Sequence, residues 1–292
     1  MRIASLLPSA TEIVCAIGLE ESLVAVTHEC DYPASVRGKP VLTTSVVPAT
    51  SSGAIDRHIR GLVLKGSSIY HLDAERLVSL QPDLILTQEL CEVCAVSYPI
   101  VQTAARRLDG PVQLVSLEPQ SLDDVFDNIR LVGQLTNREA AAVAVIDQLM
   151  ARVAAIRERI AGRPARPVVC LEWIDPPFNS GHWTPGLVAL AGGQDVLGSA
   201  GRPASAVSWA RVSEAEADLA VVMACGLSLD RSLDETSAMR SRFGARALWV
   251  VDGNAYFSRP GPRLVDSLEI MAGILHPEMV PAPGPEVARR LA

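Results

Sequence analysis

Two short clusters of thiol and imidazole donors stand out first. His28-Glu29-Cys30 and Cys91-Glu92-Val93-Cys94 each follow an apolar segment. One imidazole and three thiols form the donor set of a Cys₃His metal site, and Cys-x-x-Cys has the right spacing for half of it. His28-Glu29-Cys30 is tighter than the usual gap. The same Cys-x-x-Cys spacing also suits redox chemistry, and its plainest reading is a pair of reduced cysteines shaping a loop. Cys15, Cys170 and Cys225 fall in apolar patterns that suit buried thiols. The six cysteines do not space as a secreted disulfide framework.

The second group is aromatic. The chain has only four Trp, four Tyr and four Phe. Trp173, Phe178, Trp183, Trp209, Tyr256 and Phe257 fall in or beside loops of the second half, and Tyr32 in a loop of the first. Scarce aromatics gathered in loops suit a large, flat, apolar ligand; the alternative is that they plug the ends of a core. Arg259 and Arg263 flank the start of a late helix, where they could hold a carboxylate or phosphate or pair with surface acids. Glu75, Glu214 and Glu216 read as helix starts, where negative charge is favoured, or as a docking face.

These residues need a frame. Apolar strands are predicted at 3–7, 23–27, 84–87, 112–117, 168–173, 219–223 and 247–251. Helices are predicted at 12–17, 55–64, 74–80, 98–108, 122–135, 185–190 and 264–275, with Ser9 or Thr11 capping the first and loop over 34–53. The tail starts Pro-rich and suggests a last short helix. Residues 136–160 read as one long helix, with Thr136 and Glu139 as a capping box and an apolar stripe of Val143, Ile146, Leu149, Met150, Val153 and Ile156. It would be roughly 36 Å long. The same order of strand, helix, loop, acidic helix and strand occurs on either side of it.

Alternating strands and helices imply α/β architecture with mainly parallel sheets. The expected organisation is two Rossmann-like lobes, 1–120 and 164–292, joined by connecting helices over 121–163, with a ligand cleft between them. In such sheets ligands bind at the carboxyl ends of strands, which selects the loops after 7, 27, 87, 173 and 251. A continuous strut predicts small lobe movements, because bending it breaks hydrogen bonds.

With 292 residues, 49% hydrophobic and 20% charged, the chain can bury a core in each lobe. A net charge of −7 without a basic stripe argues against nucleic acid. No apolar run approaches the roughly 20 residues of a membrane helix. The N-terminus carries no secretory signal pattern, so the expectation is cytoplasmic as written, or periplasmic or extracellular if an export segment precedes it. No phosphate-binding Gly loop, nucleophile elbow or His-Glu-x-x-His occurs, and no catalytic residue is assigned.

Several stretches together resemble the helical-backbone (class III) substrate-binding proteins of ABC importers, and within them the cobalamin (vitamin B12) branch. They are Leu6-Leu7-Pro8-Ser9-Ala10-Thr11-Glu12, Cys30-Asp31-Tyr32-Pro33, residues 75–85, Pro176-Pro177-Phe178-Asn179-Ser180-Gly181 and residues 256–263. The resemblance implies non-catalytic binding of a corrinoid between the lobes by a monomer, with Pro8, Tyr32, Trp173, Phe178 and Tyr256 among the contacts. It also implies an acidic residue on each lobe for docking on a permease, Glu75 on the first and Glu214 on the second. Residues and resemblance together give the ligand-binding candidates Pro8, Ser9, His28, Cys30, Tyr32, Glu89, Cys91, Cys94, Trp173, Phe178, His182, Trp183, Tyr256, Phe257 and Arg259. The alternatives are a receptor for a metal ion or iron chelate at His28, Cys30, Cys91 and Cys94, and a corrinoid- or metal-dependent enzyme on the same scaffold.

Overall fold

The structure is a computed structural model that describes residues 1–47, 50–64, 67–89 and 97–291. It divides into two α/β units. The first comprises Met1–Thr50, Ala54–Glu118 and Phe126–Ile146; the second comprises Ser51–Gly53, Pro119–Val125 and Asp147–Ala292.

The first unit is built on β1 (Ile3–Ser5), β2 (Leu23–Ala25), β5 (Leu84–Thr87) and β6 (Gln113–Ser116), paired in the order β2-β1-β5-β6 and all parallel. Central β1 and β5 are buried at every residue. That is why their residues do not alternate apolar and polar, and why the one polar residue of each, Ser5 or Thr87, is a small buried hydroxyl at its end. Around them lie α1 (Pro8–Ala16), α2 (Ser52–Val63, in this unit from Ala54), α3 (Ala74–Leu80), α4 (Tyr98–Ala105) and α5 (Leu122–Leu135, in this unit from Phe126). A separate antiparallel pair, β3 (Thr43–Ser45) with β4 (Tyr70–Leu72), lies in this unit.

The second unit carries β7 (Arg166–Trp173), β8 (Phe178–Asn179), β9 (Gly193–Asp195), β10 (Leu219–Val222), β11 (Ala247–Val251) and β12 (Ala288–Leu291). Its order is β12-β11-β10-β7-β8, with β9 also on β7. β7, β10 and β11 are parallel; β8 and β12 run antiparallel to their neighbours. Edge strand β12 exposes Arg289 and Arg290, charges that oppose further strand pairing. The helices are α6 (Glu139–Arg159), α7 (Thr184–Leu190), α8 (Trp209–Glu214), α9 (Leu229–Ala238) and α10 (Leu264–Leu275). Helix α6 contributes to the first unit through Ile146 and to the second from Asp147. Its Arg152 clamps Asp266 and Glu269 of α10.

Several expected details differ. The α1 helix starts at Pro8, with Leu7 as a cap that offers no side-chain bond. Proline fits there because the first helical N–H has no partner anyway, so neither Ser9 nor Thr11 caps it. Thr136 is not a capping box with Glu139. Its hydroxyl donates to the Val132 carbonyl at the end of α5, and Asn137 takes a left-handed φ of 54°. The stripe of α6 is half right: Ile146, Leu149 and Ile156 are buried, but Val143 and Met150 are exposed. The 34–53 segment holds a 3₁₀ turn over 34–38, strand β3 and the start of α2. The tail ends in strand β12 rather than a helix, and α9 forms over residues for which no element is predicted.

Candidate functional site

Because β1, β2 and β5 are parallel, the loops after them leave one end of the first sheet. At that end a chain of hydroxyls and one thiol runs inward. Ser5 Oγ donates to the Leu7 carbonyl (3.0 Å), and Thr11 Oγ1 donates to Ser5 Oγ (2.8 Å). Cys30 Sγ lies 3.1 Å from Thr11 Oγ1 and 3.1 Å from Thr27 Oγ1. Thr11 has used its one proton, so the Cys30 thiol donates to it and Thr27 donates to the sulfur. Cys30 is thus a buried link that fastens the loop after β2 to α1.

His28 takes different partners. Its Nδ1 lies 2.7 Å from Thr43 Oγ1, which also accepts the His28 backbone N–H at 3.2 Å. Thr43 is buried. The exposed ring packs at 5.5 Å from Tyr70, whose hydroxyl donates to Glu29 Oε1 (3.3 Å). Tyr32 is 49% exposed beside this loop, and Glu89 is exposed after β5. Pro8 is partly exposed and Ser9 buried. Cys91 and Cys94 lie outside the described residues. Among the described residues no group of three or more His, Cys, Asp or Glu is placed to hold a metal ion.

In the second unit β7, β10 and β11 send their loops from a common carboxyl end. The β7–β8 connection carries Trp173, whose Nε1–H donates to the Asp175 carbonyl (3.2 Å), and half-buried Phe178. Beyond β8, Trp183 Nε1 donates across to the Phe257 carbonyl (2.8 Å), in the turn after β11. Tyr256 of that turn is partly exposed, with Arg263 5.4 Å over its ring; burial pushes its hydroxyl pKa up. Phe257 and Arg259 are buried. The exposed aromatic edges at this end therefore belong to Trp173, Phe178, Trp183 and Tyr256.

His182 stands among them. Its ring stacks on Trp183 at 5.5 Å and 26°, and its Nδ1 lies 2.8 Å from Gln120 Oε1. Burial lowers its pKa, so it is neutral at pH 7. Below it, Asp195 is held by the Ser180 hydroxyl and by the N–H groups of Leu197 (3.2 Å) and Gly198 (3.1 Å). Gln120, Asp195, Thr43 and Tyr70 carry no spacing signal, because each meets its partner only through the fold.

Glu75 is exposed in the first turn of α3 and pairs with Arg107 at 2.6 Å. Glu214 is the last residue of α8, not an early one, and Glu216 follows the helix. Both line an open cavity of about 440 Å³ with Pro167, Gln194 and Arg211. It lies at the amino end of β7, away from the aromatic loops. Among the described residues no helix is long and apolar enough to cross a membrane.

Two α/β units, each offering loops at the carboxyl end of its sheet, define a binding protein of the helical-backbone class. The chain belongs to the periplasmic binding protein family, which matches residues 3–250. Curated relatives include vitamin B12-binding proteins of Yersinia. That of Y. pseudotuberculosis serotype O:3 is 25% identical over 230 residues, covering 76% of this chain and 69% of the relative. That of Y. pestis (strain Pestoides F) is 25% identical over 221 residues, covering 73% and 64%; against it the chain spans less than two thirds of the relative's length. Among solved structures, the periplasmic vitamin B12 binding protein of Vibrio cholerae shares the fold at TM-score 0.68 and 21% identity, covering 94% and 96% of the two chains. A periplasmic heme binding protein of Pseudomonas aeruginosa does so at TM-score 0.69 and 19%, covering 100% and 98%.

Proposed function

We propose that this chain is a non-catalytic receptor for cobalamin or a related corrinoid, serving import through an ABC permease or handling of the ligand inside the cell. The observation that carries the reading is the set of partly exposed aromatics at the carboxyl end of the second sheet. Trp173, Phe178, Trp183 and Tyr256 come from two connections, after β7 and after β11, and the Trp183–Phe257 bond ties those connections together. Flat apolar faces in fixed loops suit a macrocycle. The vitamin B12-binding relatives support the corrinoid; the heme-binding neighbour names the main rival. Glu75 and Glu214 are proposed as the acids for permease docking.

The test is tryptophan fluorescence titration with cyanocobalamin, set beside hemin and a ferric chelate. Saturable quenching by cyanocobalamin at micromolar concentration or below, about −8 kcal/mol or stronger, with weaker response to the other two, is the expected outcome. Retention of hemin or the chelate alone would replace the corrinoid reading.

A further inference from the structure

We infer that Nε2 of His182 is an axial ligand to the metal at the centre of the bound macrocycle. The inference rests on the corrinoid reading and adds to it a protein–metal bond.

Three independent features of the residue carry it. The first is the tautomer. Gln120 Oε1 can only accept, so Nδ1 at 2.8 Å carries the proton and Nε2 keeps its lone pair. A ring N–H bonded to a carbonyl oxygen is how proteins fix the orientation of metal-ligating histidines. The second is the backbone. His182 holds a left-handed φ of 47°, uncommon for a residue with a side chain. It is pinned there from both sides: its N–H donates to the Arg202 carbonyl (2.6 Å) and its carbonyl accepts from Gly201 N–H (2.9 Å). Strain of this kind concentrates at functional sites. The third is accessibility. The ring is partly exposed, and Nε2 has no hydrogen-bond partner among the described residues. A histidine serving only the core would use both nitrogens. Its stack on Trp183 places it beside the turn after β11, among the aromatic edges. Burial keeps the imidazole neutral, which favours coordination over protonation.

The step is a ligand exchange. Nε2 donates its lone pair to the metal, the water in that axial position leaves, and no electron is transferred. The ligand class is a corrinoid or related macrocycle with a displaceable axial water. His28 is not an equivalent candidate, because its Nδ1 partner is a hydroxyl, which can donate or accept and so fixes no tautomer, and its ring packs on Tyr70.

The experiment uses the full chain loaded anaerobically with cob(II)inamide, which has no nucleotide base of its own. Electron paramagnetic resonance should show a three-line nitrogen splitting on the cobalt signal. It should become two lines when the protein carries nitrogen-15 histidine, and vanish in His182→Ala that still retains the corrinoid. The isotope readout needs no variant to show that a histidine nitrogen is the ligand, and should His182→Ala fold poorly, His182→Gln tests in the same way which histidine it is. Gln120→Leu should keep the splitting while lowering affinity several-fold. Retained cob(II)inamide without nitrogen splitting overturns the axial ligand and leaves the receptor reading standing. Splitting that persists in His182→Ala assigns the bond to another histidine and overturns it too. Failure to retain any corrinoid removes the receptor reading, and this inference with it.

Discussion

Trp183 Nε1 donates to the backbone carbonyl of Phe257 over 2.8 Å, joining residues 74 apart in the chain. One bond thereby fixes the residue that caps α7 to the turn that follows β11. Trp173, by contrast, bonds only to Asp175, two residues away.

Trp183→Phe removes the long-range bond and leaves a buried carbonyl without its donor. The expected cost is about 1–3 kcal/mol, a fall of roughly 2–4 °C in Tm per kcal/mol for a unit of this size. Ligand affinity should drop several-fold as the loops loosen. Trp173→Phe should change Tm less, since its bond is local. Calorimetry and titration of both variants check this; equal effects would contradict it.

Two glycines make a sharper contrast. A Cβ at Gly181 would stand 2.3 Å from the Ala204 nitrogen and 2.5 Å from the Arg202 carbonyl, both backbone atoms. Gly181 N–H also donates to Glu172 Oε1 at 3.0 Å. Gly181→Ala must push the 202–204 segment away, at about 1–3 kcal/mol, and it displaces His182 next in line. Gly186 meets nothing within 4 Å and lies inside α7. Gly186→Ala should stabilise by about 0.5–1 kcal/mol. Thermal unfolding of the pair should therefore move in opposite directions.

Much of the frame was readable because parallel strands such as Leu84–Thr87 and Leu219–Val222 are buried at every position and apolar at all but Thr87. Helix α10 was readable from its unbroken run between Pro262 and Pro277. Elements made by partners were not. β8 has two residues and exists because Leu171 and Trp173 of β7 pair with Asn179 and Phe178. β12 is a strand because β11 had an open edge, although Ala-Arg-Arg-Leu has no strand pattern. At Thr136 a local hydrogen bond to Val132 competed with the capping box and won. The aromatic loops could be picked out by residue type. The roles of Gln120 and Asp195 could not, since nothing near them in sequence names His182 or Ser180 as partner.

The cysteines yield a chemical prediction. Burial and the nearby Glu20 and Glu12 push the Cys15 thiol up to about 12, and burial raises Cys170 well above its ordinary value. At pH 8 a thiol of pKa 12 is ionised to about one part in 10,000, and thiolate is the reactive form. Cys30 is held between Thr11 and Thr27. Alkylation of the native protein at pH 8, followed by peptide mass mapping, should leave Cys15, Cys30 and Cys170 unmodified until denaturant is added. Rapid native labelling at Cys30 would show that the loop after β2 opens.

Asp195 connects pH to the same region. Burial raises its pKa, despite the Ser180 hydroxyl and the N–H groups of Leu197, Gly198 and Cys170 that favour the carboxylate. The folded protein therefore holds a proton between pH 3.8 and the raised value that the unfolded chain has released. Stability from this group falls as pH rises through that window. Asp195→Asn removes the titration. Its Oδ1 can still accept from Leu197 and Gly198, while Nδ2 donates to a Ser180 hydroxyl turned to accept. The variant should stay near wild type at pH 7 and lose this contribution to the slope of Tm against pH from 4 upward. Asp195→Ala leaves a buried hydroxyl and two N–H groups unsatisfied, at about 1–3 kcal/mol for each. It should unfold well below wild type at every pH. Unchanged pH dependence in Asp195→Asn would show that the carboxyl titrates as it does in the unfolded chain.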